Sequence, residues 1–139
     1  MKGSAYQSRI LLPENKRMTP QSSLREQYQT WRRQVTVEKR KLAEEVETAL
    51  KKELAPEEAQ RVFLFGSCVW GIPHWRSDVD LAIDDENFDD ERTWRLWNKV
   101  FAIAERFFGE EKVDVCFLSE LPDRLKDRIR REGRRISDV

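Results

Sequence analysis

Hydrophobic positions follow two periods along this chain. From residue 24 to residue 54 they recur at helical spacing, at Leu24, Tyr28, Trp31, Val35, Leu42, Val46, Ala49 and Leu50, which predicts an amphipathic α-helix. Ser23 followed by Glu26 fits a capping box at its start. The β-branched run Val35-Thr36-Val37 weakens the middle. That predicts a break and a second helix over 36–54, closed by Pro56. After it the period changes. Residues 61–65 run apolar into Gly66-Ser67, and residues 78–83 and 112–118 alternate apolar with polar. These three stretches predict strands. Between the first two, residues 66–71 read as a turn entering a short helix and 73–76 as a loop. Residues 84–90 read as an acidic loop. A helix over 91–108 follows, with Trp94, Trp97, Phe101, Ala104 and Phe108 on its buried side and Gly109 at its C-cap. Pro122 suits the start of a last helix to about residue 131, with Gly133 at its stop. Interleaved strands and helices make this an α/β chain.

Composition narrows the class. At 139 residues, with 37% charged and 39% hydrophobic positions, the chain suits one soluble domain. No apolar stretch approaches the roughly 20 residues that span a bilayer, and the N-terminus lacks the apolar stretch of a secretory signal. Cys68 and Cys116 are far apart and show no metal-binding spacing, so a reduced, cytoplasmic protein is expected. The net charge is zero, which argues against direct nucleic-acid binding. The charges are nonetheless blocked: basic before residue 43, wholly acidic over 78–91, basic again over 124–135. Residues 1–22, with Pro13, Pro20 and the apolar patch Ile10-Leu11-Leu12, read as a flexible arm or docking segment. The division expected is an arm over 1–22, a helical segment over 23–55 and a core over 56–139.

The chemistry concentrates around the second strand. Asp78 and Asp80 are two apart, so their side chains share a face while Val79, Leu81 and Ile83 take the other. Two carboxylates about 5 Å apart repel by about 3 kcal/mol at an effective dielectric near 20. A cation between them would turn that repulsion into attraction. Asp114 is the one charge inside an otherwise apolar third strand. If that strand neighbours the second, three carboxylates converge; if it is a solvated edge, Asp114 needs no ion. The convergent reading is a hard-oxygen site suited to Mg²⁺. Gly66-Ser67 supplies the complement, because a glycine turn with backbone N–H groups and a hydroxyl can grip phosphate. A Gly-Lys-Ser/Thr sequence is absent, so a Walker-type loop is excluded.

The succession Phe65-Gly66-Ser67, then Gly71, then Ser77-Asp78-Val79-Asp80-Leu81 resembles the core motif of the DNA polymerase beta-type nucleotidyltransferase superfamily. More narrowly, the chain resembles its minimal members, over about residues 36–136. Val113-Asp114-Val115 matches the position of the third family carboxylate, and the stretch from Leu121-Pro122 through Glu132-Gly133-Arg134 is similar to the ending common in that group. The resemblance implies a small mixed sheet with helices packed on one face and, here, an N-terminal helical extension. It implies transfer of a nucleoside monophosphate from a triphosphate such as ATP, with release of pyrophosphate. Asp78 and Asp80 would hold two Mg²⁺ ions. Asp114 would share one and help deprotonate the acceptor. Gly66, Ser67 and Ser77 would bind nucleotide, with the first two on the β- and γ-phosphates. Many minimal members carry Arg where this chain has Trp70. Arg76 is the candidate replacement, with a loop-surface role as the alternative. His74 reads as ordinary loop, Cys68 as a small loop residue, Cys116 as a lining residue of the site, and Trp94 and Trp97 as core.

The resemblance also orders the functions. First comes an adenylyltransferase that acts as the antitoxin of a HEPN-type ribonuclease toxin, attaching AMP to a tyrosine of that partner. Tyr28, Trp31 and Val35 offer it a docking face, unless they pack on the chain's own core. The alternatives are transfer to a small-molecule hydroxyl such as an antibiotic, and a non-catalytic antitoxin that only binds. Assembly of identical chains is left open by the sequence.

Overall fold

The computed structural model describes residues 23–137. The arm expected over 1–22 lies outside the described residues. The first helix, α1, runs unbroken from Leu24 to Glu53. The Ser23 hydroxyl caps it, accepting from the Glu26 amide at 3.0 Å. The break expected at 35–37 does not occur. Val35 is buried, and the Thr36 hydroxyl donates to the Pro73 carbonyl at 2.9 Å. Those tertiary contacts outweigh a local propensity deficit of a few tenths of a kcal/mol per residue. Pro56 opens a single turn, α2 (Pro56–Ala59).

A four-stranded sheet follows, with β1 (Val62–Phe65), β2 (Val79–Ile83), β3 (Val113–Phe117) and β4 (Arg134–Arg135) in the order β3-β2-β1-β4. β1 is antiparallel to β2 and β4, and β2 is parallel to β3. The sheet is therefore mixed. The short α3 (Ser67–Trp70) leaves β1, α4 (Asp90–Phe108) crosses from β2 to β3, and α5 (Asp123–Glu132) follows β3. β4 was not expected. Its two arginines carry no strand pattern, and it forms because the chain returns beside β1, where Arg135 and Arg134 pair with Phe63 and Leu64.

Strand alternation sorts the side chains into two layers. Val62, Leu64, Val79, Leu81 and Ile83 face α1 and α4 and form the main core with Leu42, Val46, Leu50, Leu96, Val100 and Phe108. Each such buried side chain contributes roughly 1.5–3 kcal/mol. Phe63, Phe65 and Ala82 face the other way, where Ile129 of α5 and Leu118 cover them. The principal helical layer is thus on one face, with α5 covering part of the second.

On α4 the buried stripe is Thr93, Leu96, Val100, Ile103, Ala104 and Phe108. The expected stripe was rotated from this one. Ala104 and Phe108 are buried as expected, Trp97 and Phe101 are half-buried, and Trp94 is 55% exposed. Trp94 instead lies edge-on to Phe117 at the sheet margin, centroids 5.4 Å apart.

The acidic loop is used structurally. Asp89 caps α4 by accepting from the Arg92 amide at 2.9 Å, Asp85 accepts from the Ser119 amide at 3.0 Å, and Glu86 pairs with Arg130 at 2.8 Å. Buried Arg61 ties this loop to β1, donating to the Asp84 carbonyl at 3.0 Å and the Thr93 hydroxyl at 2.6 Å. Among the described residues, no helix is long and apolar enough to cross a membrane.

Candidate functional site

Strand register sets two of the three aspartates side by side. Asp80 of β2 and Asp114 of β3 are Cα partners across a parallel ladder, so both project from the same face. Asp78 stands one residue before β2. Phe65 is the β1 partner of Asp80, and Gly66 follows it at the strand's end. All of this lies on the second face of the sheet, beside the patch that α5 covers.

Gly66 has φ +84°, in the left-handed region that a side chain disfavours. A Cβ there would stand 2.2 Å from Oδ2 of Asp80. The glycine turn is therefore packed directly against the carboxylate, and only a residue without a side chain allows that approach. Gly71 plays a similar part, since a Cβ on it would meet the Ser67 Cα at 3.1 Å. Gly66 is thus fixed by its contact with β2 and Gly71 by its contact with the start of α3. Ser67 opens α3 and is half-buried.

Charge at the site is unbalanced. The Asp80 carboxyl is pushed up to about 7, first by burial and then by the negative charges of Asp114 and Asp78. Burial also holds the two thiols protonated. Cys116 is pushed up to about 12 by burial, then by Asp114 and Asp80, and Cys68 up to about 11, chiefly by burial. Cys116 donates to the Leu81 carbonyl at 3.5 Å and Cys68 to the Asp78 carbonyl at 3.6 Å. A set of carboxylate oxygens whose mutual repulsion raises a pKa is a donor set that fits a hard divalent cation. Among the described residues, no three acidic, His or Cys side chains already stand close enough to enclose one ion.

The remaining sequence candidates lie in the loop before β2 and in α3. Ser77 is buried, and its polar groups turn inward: the hydroxyl accepts from the His74 amide at 2.8 Å and the amide donates to the His74 carbonyl at 2.8 Å. His74 braces the same turn through Nδ1, which accepts from the Arg76 amide at 3.1 Å. Arg76 lies 4.5 Å over the Trp75 ring. At position 70 the Trp side chain carries a cation from elsewhere, with the Arg128 guanidinium of α5 4.0 Å over its ring. Trp70 also packs on Phe65, centroids 5.9 Å apart.

Two residues escaped the sequence reading. Arg128 carried no signal, since one arginine in a basic amphipathic helix reads as solvated. Lys39 did carry one: it lies four residues after Val35 and three before Leu42, on the buried stripe of α1. Tyr28 is 53% exposed, Trp31 half-buried and Val35 buried, so the face expected to dock a partner is divided between surface and core. A cleft of about 820 Å³ lies elsewhere, lined by Glu58, Arg61, Phe88, Arg92 and Lys99 among others and by none of the three aspartates. Its cations are engaged by acids, as in Lys99–Glu58 at 3.0 Å and Arg92–Asp89 at 3.5 Å.

The family model described as Polymerase beta, Nucleotidyltransferase matches residues 34–138. The match begins within α1 and takes in every strand. No curated protein matches the chain significantly.

Proposed function

The chain belongs to the polymerase beta nucleotidyltransferase family, and on that premise we propose that it transfers AMP from ATP to a tyrosine hydroxyl of a partner protein, a HEPN-type toxin that it neutralises as an antitoxin. The observation that carries this reading is the register that sets Asp80 beside Asp114, with Asp78 just upstream and Gly66 against the Asp80 carboxylate. In the reaction the tyrosine oxygen attacks the α-phosphorus of ATP. A new P–O bond forms, the bond to the bridging oxygen breaks, and pyrophosphate leaves.

Asp78, Asp80 and Asp114 would hold two Mg²⁺ ions, which when bound neutralise the triphosphate and stabilise the attacking and leaving oxygens. Asp114 is the exposed member of the trio and takes the proton of the acceptor hydroxyl. The Gly66 turn and the Ser67 hydroxyl hold the β- and γ-phosphates. Arg128 lies over Trp70 at the end of the same short helix and is paired with Glu132 at 3.1 Å. Exposure of Asp114 favours an acceptor presented by another protein.

The test is incubation of the purified chain with ATP, Mg²⁺ and the candidate toxin. One AMP is expected on a toxin tyrosine by peptide mass spectrometry, and none with Asp78→Asn or Asp80→Asn. An unmodified toxin would overturn the reading. Full neutralisation by Asp80→Asn would favour an antitoxin that acts by binding alone.

A further inference from the structure

We propose that Lys39, on the helix outside the catalytic loops, is a positioning residue for Asp78: its ammonium group, buried beneath the loop, fixes the peptide that delivers the first aspartate to the site. The inference rests on the nucleotidyl-transfer reading for its kinetic consequence and on geometry alone for the rest. Lys39 is 0% exposed, within a stripe of Val35, Leu42, Ala43 and Val46. A lysine at such a position would ordinarily be an apolar residue, since burying an ammonium is unfavourable unless the charge is used. Its Nζ donates to the Ser77 carbonyl and lies 5.5 Å over the Phe108 ring.

The anchored carbonyl belongs to the residue immediately before Asp78. Three elements therefore converge on residues 77–78. The His74 turn holds the Ser77 amide and hydroxyl, α1 holds the Ser77 carbonyl through Lys39, and α3 holds the Asp78 carbonyl through the Cys68 thiol. With its carbonyls held from α1 and α3, the Ser77–Asp78 segment has little freedom to swing. Burial pulls the Lys39 amine down to about 7, against the opposing pull of Cys68 and Asp78 and with the repulsion of Lys112. Nearby Arg40 and Thr36 bond to the Gly71 and Pro73 carbonyls at 3.2 and 2.9 Å, so α1 grips the whole loop that separates the two glycine- and aspartate-bearing segments.

The experiment compares the wild-type chain with Lys39→Met, which keeps length and apolar volume but removes charge and donor. Amide hydrogen exchange is read by peptide, alongside AMP transfer kinetics. Exchange over residues 76–80 should rise about 10-fold or more while core peptides of α4 stay unchanged, because only the local anchor is lost. For transfer, kcat should fall about 10- to 100-fold with the KM for ATP within about twofold, as expected when a reacting group is misplaced.

Unchanged exchange over 76–80 would overturn the proposal. So would a uniform rise across the chain with a lowered unfolding midpoint, which is the signature of a merely structural lysine. If Lys39→Met does not fold, Lys39→Leu, which also removes charge and donor, is read by the same criteria. If the wild-type chain transfers no nucleotide, the functional reading fails while the exchange comparison still decides the positioning role.

Discussion

The two faces of one sheet are built from the same strands and do opposite things. Val79, Leu81 and Ile83 point into a dry layer covered by α1 and α4, while Asp80 and Ala82, one step away on the same strand, point to a face that α5 covers only in part. On the first face apolar side chains bury one another and the fold gains stability. On the second, Asp80 gathers two like charges and its carboxyl is driven to about 7 by burial, Asp114 and Asp78. The contrast teaches where this molecule keeps its strain. The first face holds the second in an arrangement where burial and like charges act against Asp80.

The largest expected effect is on the second face. Asp80→Asn should lower nucleotidyl transfer by on the order of 10³-fold or more while leaving the circular dichroism spectrum unchanged. Transfer at the wild-type rate would break the contrast. On the first face, Leu81→Ala should lower the unfolding free energy by about 2–5 kcal/mol in urea titrations. Turnover per folded molecule should stay within about twofold. Gly66→Ala tests the seam between the faces. The added Cβ meets Asp80 at 2.2 Å in a left-handed backbone, so thermal melts should show about 1–3 kcal/mol of destabilisation, with transfer lost as well.

A fourth prediction follows from the sign of the Asp80 shift. Its folded pKa, about 7, lies above its ordinary 3.8. Without metal, the stability this group contributes is full below about pH 4 and is lost as pH rises through about 7. Asp80→Asn should therefore gain on the order of 2 kcal/mol over wild type at about pH 8 and little at about pH 4. Lys39 has a lowered pKa and works in the other direction, its contribution being full above 10.5 and lost as pH falls through about 7. It is common to both proteins, so their difference isolates Asp80. The smallest effect is at the sheet margin, where Trp94→Ala should cost about 1 kcal/mol, since Trp94 is largely exposed and loses mainly its edge contacts with Phe117 and Trp97.

The first face was legible because alternation is a local pattern: β1, β2 and β3 lie where apolar residues recur in the sequence. The Asp78/Asp80 spacing was legible for the same reason. What escaped depended on the rest of the fold. Residues 35–37 favour a break only until Thr36 meets Pro73 and Val35 meets the core. Arg134 and Arg135 become a strand only because β1 has an open edge for them. On α4 the tryptophans dominated the reading, yet Leu96, Val100 and Ile103 set the buried face. Lys39 was passed over because a charge usually marks the solvent side, even at a position whose spacing from Val35 and Leu42 faces inward.

The central claim is that the carboxylates of the second face form one cation site fed by the glycine turn. Calorimetric titration of Mn²⁺ into the chain with a non-hydrolysable ATP analogue tests it directly. Two ions per chain are expected with wild type, with affinity lost on Asp80→Asn and weakened on Asp114→Asn. Equal binding by wild type and Asp80→Asn would contradict it.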